Sequence, residues 1–283
     1  MKPAWYIQPL PGQNEDAKNL IWIAREQGMQ AGSAYEPFHG LEWKAMLPCD
    51  RPVIVMGSID TMKNAQRGNL DYLYGTYLAD WCDWRLLRCS HYYAKWGGMM
   101  LSEKYGFYPL GELRRLNQEL GWWYGRNGKL FIRPDANDKV FSGGVVSLGN
   151  VGGWLAQAGK DVEDTLLCVV AQPEEIFAEY RLVVADKKVV ASSRYMLNDS
   201  VEWLEGCPFF ARELAEAAAK KWSPHRIFVM DVAQKAKTGE YRILECGSIH
   251  TSCLYACELK PIVEAMSRIA EEEWEDEHEP KDA

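Results

Sequence analysis

The chain has no stretch approaching 18 consecutive apolar residues, which excludes a membrane-spanning helix. No apolar segment follows the first Lys, because Gln8, Pro9, Pro11 and Gly12 interrupt it. That argues against a secretory signal and predicts a cytoplasmic location. None of the eight cysteines forms a CxxC pair, so free thiols in a reducing compartment are expected. Cys246, His250, Cys253 and Cys257 are close in sequence, but their spacing matches no common zinc pattern. Positive charge is also scarce. Lys plus Arg total 32 against 40 Asp plus Glu, a net charge of −8. Residues 271–283 hold eight of the acids and one Lys, so the body is almost neutral. A nucleic-acid coat needs a clustered basic footprint and is not expected. There is no GxGxxG after a strand and no GxxxxGK[ST] loop, which removes the dinucleotide and P-loop folds.

What is present reads as a folded protein of 283 residues with 47% hydrophobic content, enough for one large domain or two modest ones. The first 120 residues read as a small α/β domain. Trp5–Ile7 and Pro52–Ser58 are strands, and Asn14 caps a helix carrying Leu20, Ile21, Ile23 and Ala24. Residues 69–108 are aromatic and glycine-rich without a clean period, and Pro109 to Leu120 forms a helix stopped by Gly121. From 121 to 270 apolar strands alternate with polar turns. The strands are Lys129–Ile132, Thr165–Ala171, Ile176–Ala185, Val189–Tyr195, Arg226–Val232 and Tyr241–Leu244. Arg212–Trp222 is an Ala-rich helix, and a last helix spans about Leu259 to Trp274. The acidic tail 271–283 is expected to be disordered, since like charges repel. The fold class is α+β, with much antiparallel pairing in the second half.

Charged residues recur at strand ends. Arg133 follows one strand, and Lys139 and Gly143–Gly144 lie in the loop after it. Glu179 and Arg181 share one strand face, being two apart, and Arg194 lies on the hairpin partner. Such residues serve an exposed sheet face as readily as a site. Asp231 differs, because it follows Ile227-Phe228-Val229-Met230 and precedes Val232. A carboxylate in that setting is costly unless paired, hydrogen-bonded or metal-bound. Glu245 similarly ends Tyr241–Leu244. Two carboxylates with several cations suit a magnesium–nucleotide triphosphate site, in which Arg and Lys balance phosphate charge and Mg²⁺ takes hard oxygens.

The segments Phe131–Asp135, Lys139–Gly143, Glu179–Val184, Val190–Tyr195, Val229–Val232, Ile243–Glu245 and His250–Tyr255 together resemble an ATP-grasp domain. Within that superfamily the chain is similar to the R2K branch of phages and bacteria, named for two arginines and a lysine. The likeness runs from about Gly128 to Ala256. It implies two α+β subdomains, about 121–171 and 172–270, clasping an ATP cleft. It also implies activation of a carboxylate as an acyl phosphate and its capture by an amine or other nucleophile. The substrates would be small molecules or peptides, and a phage-encoded member would act in the host cytoplasm.

By the same resemblance, Arg133 and Lys139 would hold ATP phosphates. Arg181 would bind phosphate or the activated carboxylate, assisted by Arg194. Val170, Ala171, Gln172 and Ile176 would form the hinge beside adenine, with backbone groups reading its edge. Glu179 would contact adenine or orient Arg181, and Asp231 and Glu245 would hold Mg²⁺. The chain departs from the pattern at one point. Typical members carry Asn two residues after the second metal carboxylate, where this sequence has Gly247. The missing oxygen would come from water, Ser248 or the phosphates. Two other readings stay open on this scaffold: a degenerate nucleotide-binding protein without turnover, and an RNA- or polypeptide-modifying enzyme.

Overall fold

The computed structural model describes all residues except 11, 34–47, 49, 73–76, 138–139, 159–161 and 279–283. The first part contains β1 (Ala4–Ile7), α1 (Asn14–Glu26), β2 (Gln30–Ser33), β3 (Pro52–Met56), α2 (Ile59–Tyr72), β4 (Tyr77–Leu78) and α3 (Cys89–Trp96). Its strands form a parallel sheet in the order β2-β1-β3-β4. Every residue of β3 is buried, as a parallel strand covered on both faces requires. Asn14 lies inside α1 rather than at its cap, which falls at Gln13 without a side-chain hydrogen bond.

Next come β5 (Tyr105–Pro109), α4 (Leu110–Arg115), α5 (Asn117–Tyr124), β6 (Lys129–Pro134), β7 (Gly144–Ser147), α6 (Val151–Ala158) and β8 (Leu167–Ala171). The four strands form an antiparallel sheet in the order β5-β8-β6-β7. Residue 120 lies inside α5, and β5, on its N-terminal side, belongs to the same sheet as β6 and β8. One expectation is corrected here: Gly121 does not stop a helix. A Cβ there would come 2.6 Å from Leu148, so the glycine lets α5 pack closely on that turn.

The last part holds β9 (Ile176–Ala185), β10 (Lys188–Leu197), β11 (Ser200–Glu205), α7 (Phe209–Lys221), β12 (Ile227–Lys235), β13 (Tyr241–Gly247) and α8 (Leu259–His278). The strands make an antiparallel sheet ordered β11-β10-β9-β12-β13. Alternation splits β9 between two cores. Tyr180, Leu182 and Val184 join the core built on Ala211, Ala215, Ala218 and Ala219 of α7. Val183 and Ala185 join Ile262, Val263, Met266 and Ile269 of α8, together with Trp5, Ile7 and Ile54 of the parallel sheet. Each of those large α8 side chains contributes on the order of 2 kcal/mol by burial. The Trp5 indole N–H also donates to Ser267 Oγ at 3.2 Å.

The acidic segment is not disordered through its first eight residues, because α8 continues to His278. Its acids have partners that offset their repulsion. Arg226 and Arg268 pair with Glu272, and the Trp81 indole donates to Glu273. No helix among the described residues is long and apolar enough to cross a membrane.

Candidate functional site

The α8-facing side of the five-stranded sheet is apolar at one end and charged at the other. Along β9 the residues on that face run Val183, Arg181, Glu179, and along β12 they run Val229, Asp231, Ala233. In register, Arg181 opposes Asp231, and Asp231 opposes Glu245 of β13. Asp231 is only 2% exposed. Arg181 satisfies it with both arms of the guanidinium, Nε to Oδ1 at 2.9 Å and Nη2 to Oδ2 at 2.7 Å. This bidentate geometry offsets the cost of burying the charge. The third arm, Nη1, donates to the Cys253 carbonyl at 2.8 Å, and the guanidinium carbon lies 4.9 Å from the Tyr255 ring centroid. Tyr255 holds a left-handed backbone, φ 52°, and its ring stacks on Tyr195 at 4.7 Å. The Tyr195 hydroxyl donates to Glu179 Oε2 at 2.5 Å.

The electrostatics follow from this packing. Burial pushes the Asp231 carboxyl above its ordinary range; Arg181 pulls it back, and Glu245 raises it again by charge and a shared hydrogen bond. Glu179 is raised by burial, opposed by the Tyr195 hydroxyl and reinforced by Asp231 and Glu245. Burial opposes the charge on Arg181, but Asp231 outweighs it and holds the guanidinium protonated.

The second cation comes from the other antiparallel sheet. Arg133, near the end of β6, reaches Glu245 with Nη1 2.7 Å from Oε2, the two side chains being 14% and 32% exposed. Burial works against its charge, while Tyr92, Cys89 and Glu245 favour it and keep it well above the ordinary range. Asp135, two residues on, fixes this strand end. It accepts from the Ser90 backbone N–H at 2.6 Å and the Ser90 hydroxyl at 3.1 Å, capping the first turn of α3. Arg133, Arg181, Asp231, Glu245 and Glu179 thus form one connected charged cluster where the two antiparallel sheets meet, at the place of the expected cleft.

The other expected residues fare differently. Lys139 lies outside the described residues. Arg194 is not in the cleft. A β-bulge between Val189 and Ala191 shifts the β9–β10 register by one, so Arg194 opposes Tyr180 rather than Glu179. It points to the α7 side, where it pairs with Glu202, and Tyr195 takes the cleft position. Val170 and Ala171 lie in β8, paired with β5 on one edge and β6 on the other, so their backbone groups serve the sheet instead of a base. Gln172 is similar: its N–H donates to Lys104 O at 3.0 Å and its carbonyl accepts from Ser102 at 3.3 Å. Ile176 begins β9. Beside this connection is a cavity of about 430 Å³ lined by Lys104, Arg126, Gln172, Glu174 and Lys235 among others. Lys235 was missed in the sequence because its partners Glu103 and Glu174 are distant in the chain.

Tyr92, Tyr93 and Trp96 are buried core residues. Ser248 is buried and donates to Trp81 O at 3.4 Å, so it offers the cleft no oxygen. His250 uses both ring nitrogens, Nδ1 donating to Val55 O at 2.6 Å and Nε2 accepting from Trp81 N–H at 3.1 Å. No group of three or more His, Cys, Asp or Glu able to hold a metal occurs among the described residues.

A magnesium ion fits the donor chemistry that is present. Asp231 and Glu245 offer hard oxygens from adjacent strands, in register, and Glu245 is open to the cleft. Each is neutralised by a guanidinium of the kind that also binds phosphate.

Comparison with known proteins agrees with this architecture. D-cycloserine synthetase DcsG superposes with a TM-score of 0.68 at 13% identity, over 95% of this chain and 99% of that one. D-alanine–D-alanine ligase from Bacillus anthracis gives 0.60 at 11% identity, over 98% and 99%. The ATP-grasp ligase PsnB, complexed with minimal precursor, Mg and ADP, gives 0.54 at 14%, over 93% and 96%. A sequence search of curated proteins finds no match. The family described as ATP-grasp domain, R2K clade family 2, matches residues 113–265. With more than half of its length matched and an ATP-grasp fold throughout, the chain belongs to the R2K clade of the ATP-grasp family.

Proposed function

We propose that the protein is an ATP- and Mg²⁺-dependent ligase that joins a carboxylate to an amine or related nucleophile. The observation that carries this reading is the meeting of two cation–carboxylate pairs, Arg181–Asp231 within the five-stranded sheet and Arg133–Glu245, in which Arg133 crosses from the other antiparallel sheet. ATP would enter with its base toward the cavity beside Gln172 and Glu174, and its phosphates toward the two arginines. Asp231 and Glu245 would hold magnesium, which supplies neutralisation of the β- and γ-phosphates. Arg133 and Arg181 would then transfer their hydrogen bonds from carboxylate to phosphate oxygens, and Lys139 would add charge. A carboxylate oxygen of the substrate attacks the γ-phosphorus and the bond to the bridging oxygen breaks, releasing ADP. The amine nitrogen attacks the acyl carbon of the resulting acyl phosphate, loses a proton, and inorganic phosphate departs. The chain's part is to orient the groups and balance charge as it moves.

The residues 1–104 would act as the substrate-side domain, with 105–171 and 172–270 as the two clasping subdomains. Substrates would be small-molecule or peptide carboxylates and amines. The enclosure of Asp231 by Arg181 favours a second reading, nucleotide binding without turnover. The deciding experiment supplies ATP, Mg²⁺ and a panel of ¹⁸O-labelled carboxylates with amines. Release of ADP with label in the phosphate is expected. Tight ATP binding by calorimetry with no ADP release across the panel would favour the second reading; ADP release without label would remove the acyl-phosphate route.

A further inference from the structure

Gly247 follows Glu245 on the same face of β13, two residues on, and opposes Val229 of β12. A Cβ at Gly247 would meet Ser252 Oγ and Val229 Cγ2 at 3.3 Å and Asn137 Nδ2 at 3.5 Å. The space beside the carboxylate pair is therefore bordered by an amide from the other antiparallel sheet's loop. Asn137 lies four residues beyond Arg133, and its Nδ2 donates to the Cys246 carbonyl at 3.2 Å. Two side chains thus cross from the β6 strand end to the last residues of β13. Arg133 reaches the Glu245 carboxylate, and Asn137 seats on the backbone between Glu245 and Gly247.

A side-chain amide whose nitrogen is anchored keeps a carbonyl oxygen with two lone pairs to offer. Amide oxygens are hard donors of the type that magnesium and manganese accept. Two carboxylates supply only part of a six-oxygen shell, and Ser248 is committed elsewhere. We propose that Asn137 supplies an amide oxygen to a divalent cation held by Asp231 and Glu245, so that the cation is ligated from both antiparallel sheets. This rests on the reading of that pair as the cation site.

The test titrates Mn²⁺ into the full-length protein with ADP present, reading free Mn²⁺ by electron paramagnetic resonance, so that no turnover is involved. Wild type is compared with Asn137→Ala, Asn137→Asp and Glu245→Gln. Asn137→Ala is expected to weaken Mn²⁺ binding about tenfold. Asn137→Asp is expected to match or exceed wild type, because a carboxylate is the stronger ligand although it cannot donate to Cys246 O. Equal weakening in both Asn137 variants would make the amide a backbone clasp only and overturn the proposal, as would unchanged affinity in both. If Glu245→Gln weakens Mn²⁺ while the Asn137 variants do not, only this inference fails. If Glu245→Gln also binds as wild type does, the carboxylate pair is not the cation site and both readings fall.

Discussion

Replacing Arg181 by Met keeps the side-chain length and removes the charge, leaving Asp231 buried without its counter-ion. Breaking a buried ion pair from one side costs about 3–5 kcal/mol. With an unfolding entropy of about 2.1 cal/mol/K per residue over 283 residues, that lowers the melting temperature by about 5–8 °C. The loss depends on pH with a definite sign. Burial already raises the Asp231 carboxyl, and without Arg181 it rises further. An acid whose folded pKa lies above its unfolded value stays protonated in the fold when the unfolded chain has released its proton. Stability therefore falls as pH rises from near 4 to the raised folded value. Thermal melts of Arg181→Met from pH 4 to 8 should show a deficit that widens with pH. Adding Asp231→Asn should recover most of it, since the neutral amide carries no desolvated charge. It should not recover all, because the bond to Cys253 O and the contact with Tyr255 remain lost. A deficit below about 1 kcal/mol, or no rescue by Asp231→Asn, would refute the claim that this carboxylate is buried as an ion.

Three further outcomes are expected. Arg194→Ala should leave ADP release within about twofold of wild type, whereas Arg133→Met should reduce it by about 10²-fold or more; equal losses would mean that Arg194 reaches the cleft after all. Burial pushes His250 down to about 4, below the ordinary value of about 6.5, so its contribution is complete above pH 6.5 and is lost as pH falls toward 4. That amounts to roughly 3 kcal/mol. His250→Gln should flatten the acid limb of the stability profile, and an unchanged limb would count against a neutral buried imidazole. Gly121→Ala should cost about 1–3 kcal/mol by overpacking against Leu148, read as a lower denaturation midpoint; a stabilised variant would contradict the close contact.

Much of the site was legible in strand periodicity. Glu179 and Arg181 share a face because they are two apart, and Asp231 stood out because apolar neighbours surround it. The error at Arg194 has a simple physical source. The two-residue turn at Asp186–Lys187, both with positive φ, sets a register in which Ala185 opposes Lys188 and Val184 opposes Val189. Extended unbroken, it would set Arg194 opposite Glu179, on the cleft side. One extra residue in the bulge reverses the faces, and nothing in Val189–Ser193 announces it. β11 was missed although Asn198–Asp199 forms the same kind of positive-φ turn before it. β5 was hidden because Tyr-Gly-Phe-Tyr-Pro shows no alternation, and its place is decided by pairing with β8. The break between β8 and β9 was legible from Gln172-Pro173-Glu174-Glu175, but not which backbone groups beside it the sheet had already used.

The parallel sheet is tied to the cleft by the loop after β13 as well as by its packing on α8, which argues against treating it as a separate module. The Gly57 N–H, just after β3, donates to the His250 carbonyl at 2.9 Å, and His250 Nδ1 donates to Val55 O within β3. Three residues further on, Cys253 O accepts from Arg181, and the Ala256 N–H donates to Ser193 Oγ beside it. The crevice at the carboxyl ends of β1 and β3 is lined by Gln8, Asp16 and Gly57, and on its other side by Thr251 and Ser252 of this loop. Open parallel sheets bind ligands at that end of their strands. A molecule seated there would press on Thr251 and Ser252, next in the chain to Cys253, whose carbonyl holds the Arg181 guanidinium. Moving the loop by 1 Å would lengthen the 2.8 Å bond to Cys253 O beyond hydrogen-bonding range. Arg181 would then lose its Nη1 partner while Nε and Nη2 stay on Asp231, leaving one guanidinium arm to turn toward a ligand. His250→Gln should therefore alter substrate dependence as well as acid stability, with KM shifting more than ATP affinity. A variant that changed stability alone would show that the loop joins the two parts mechanically without coupling them.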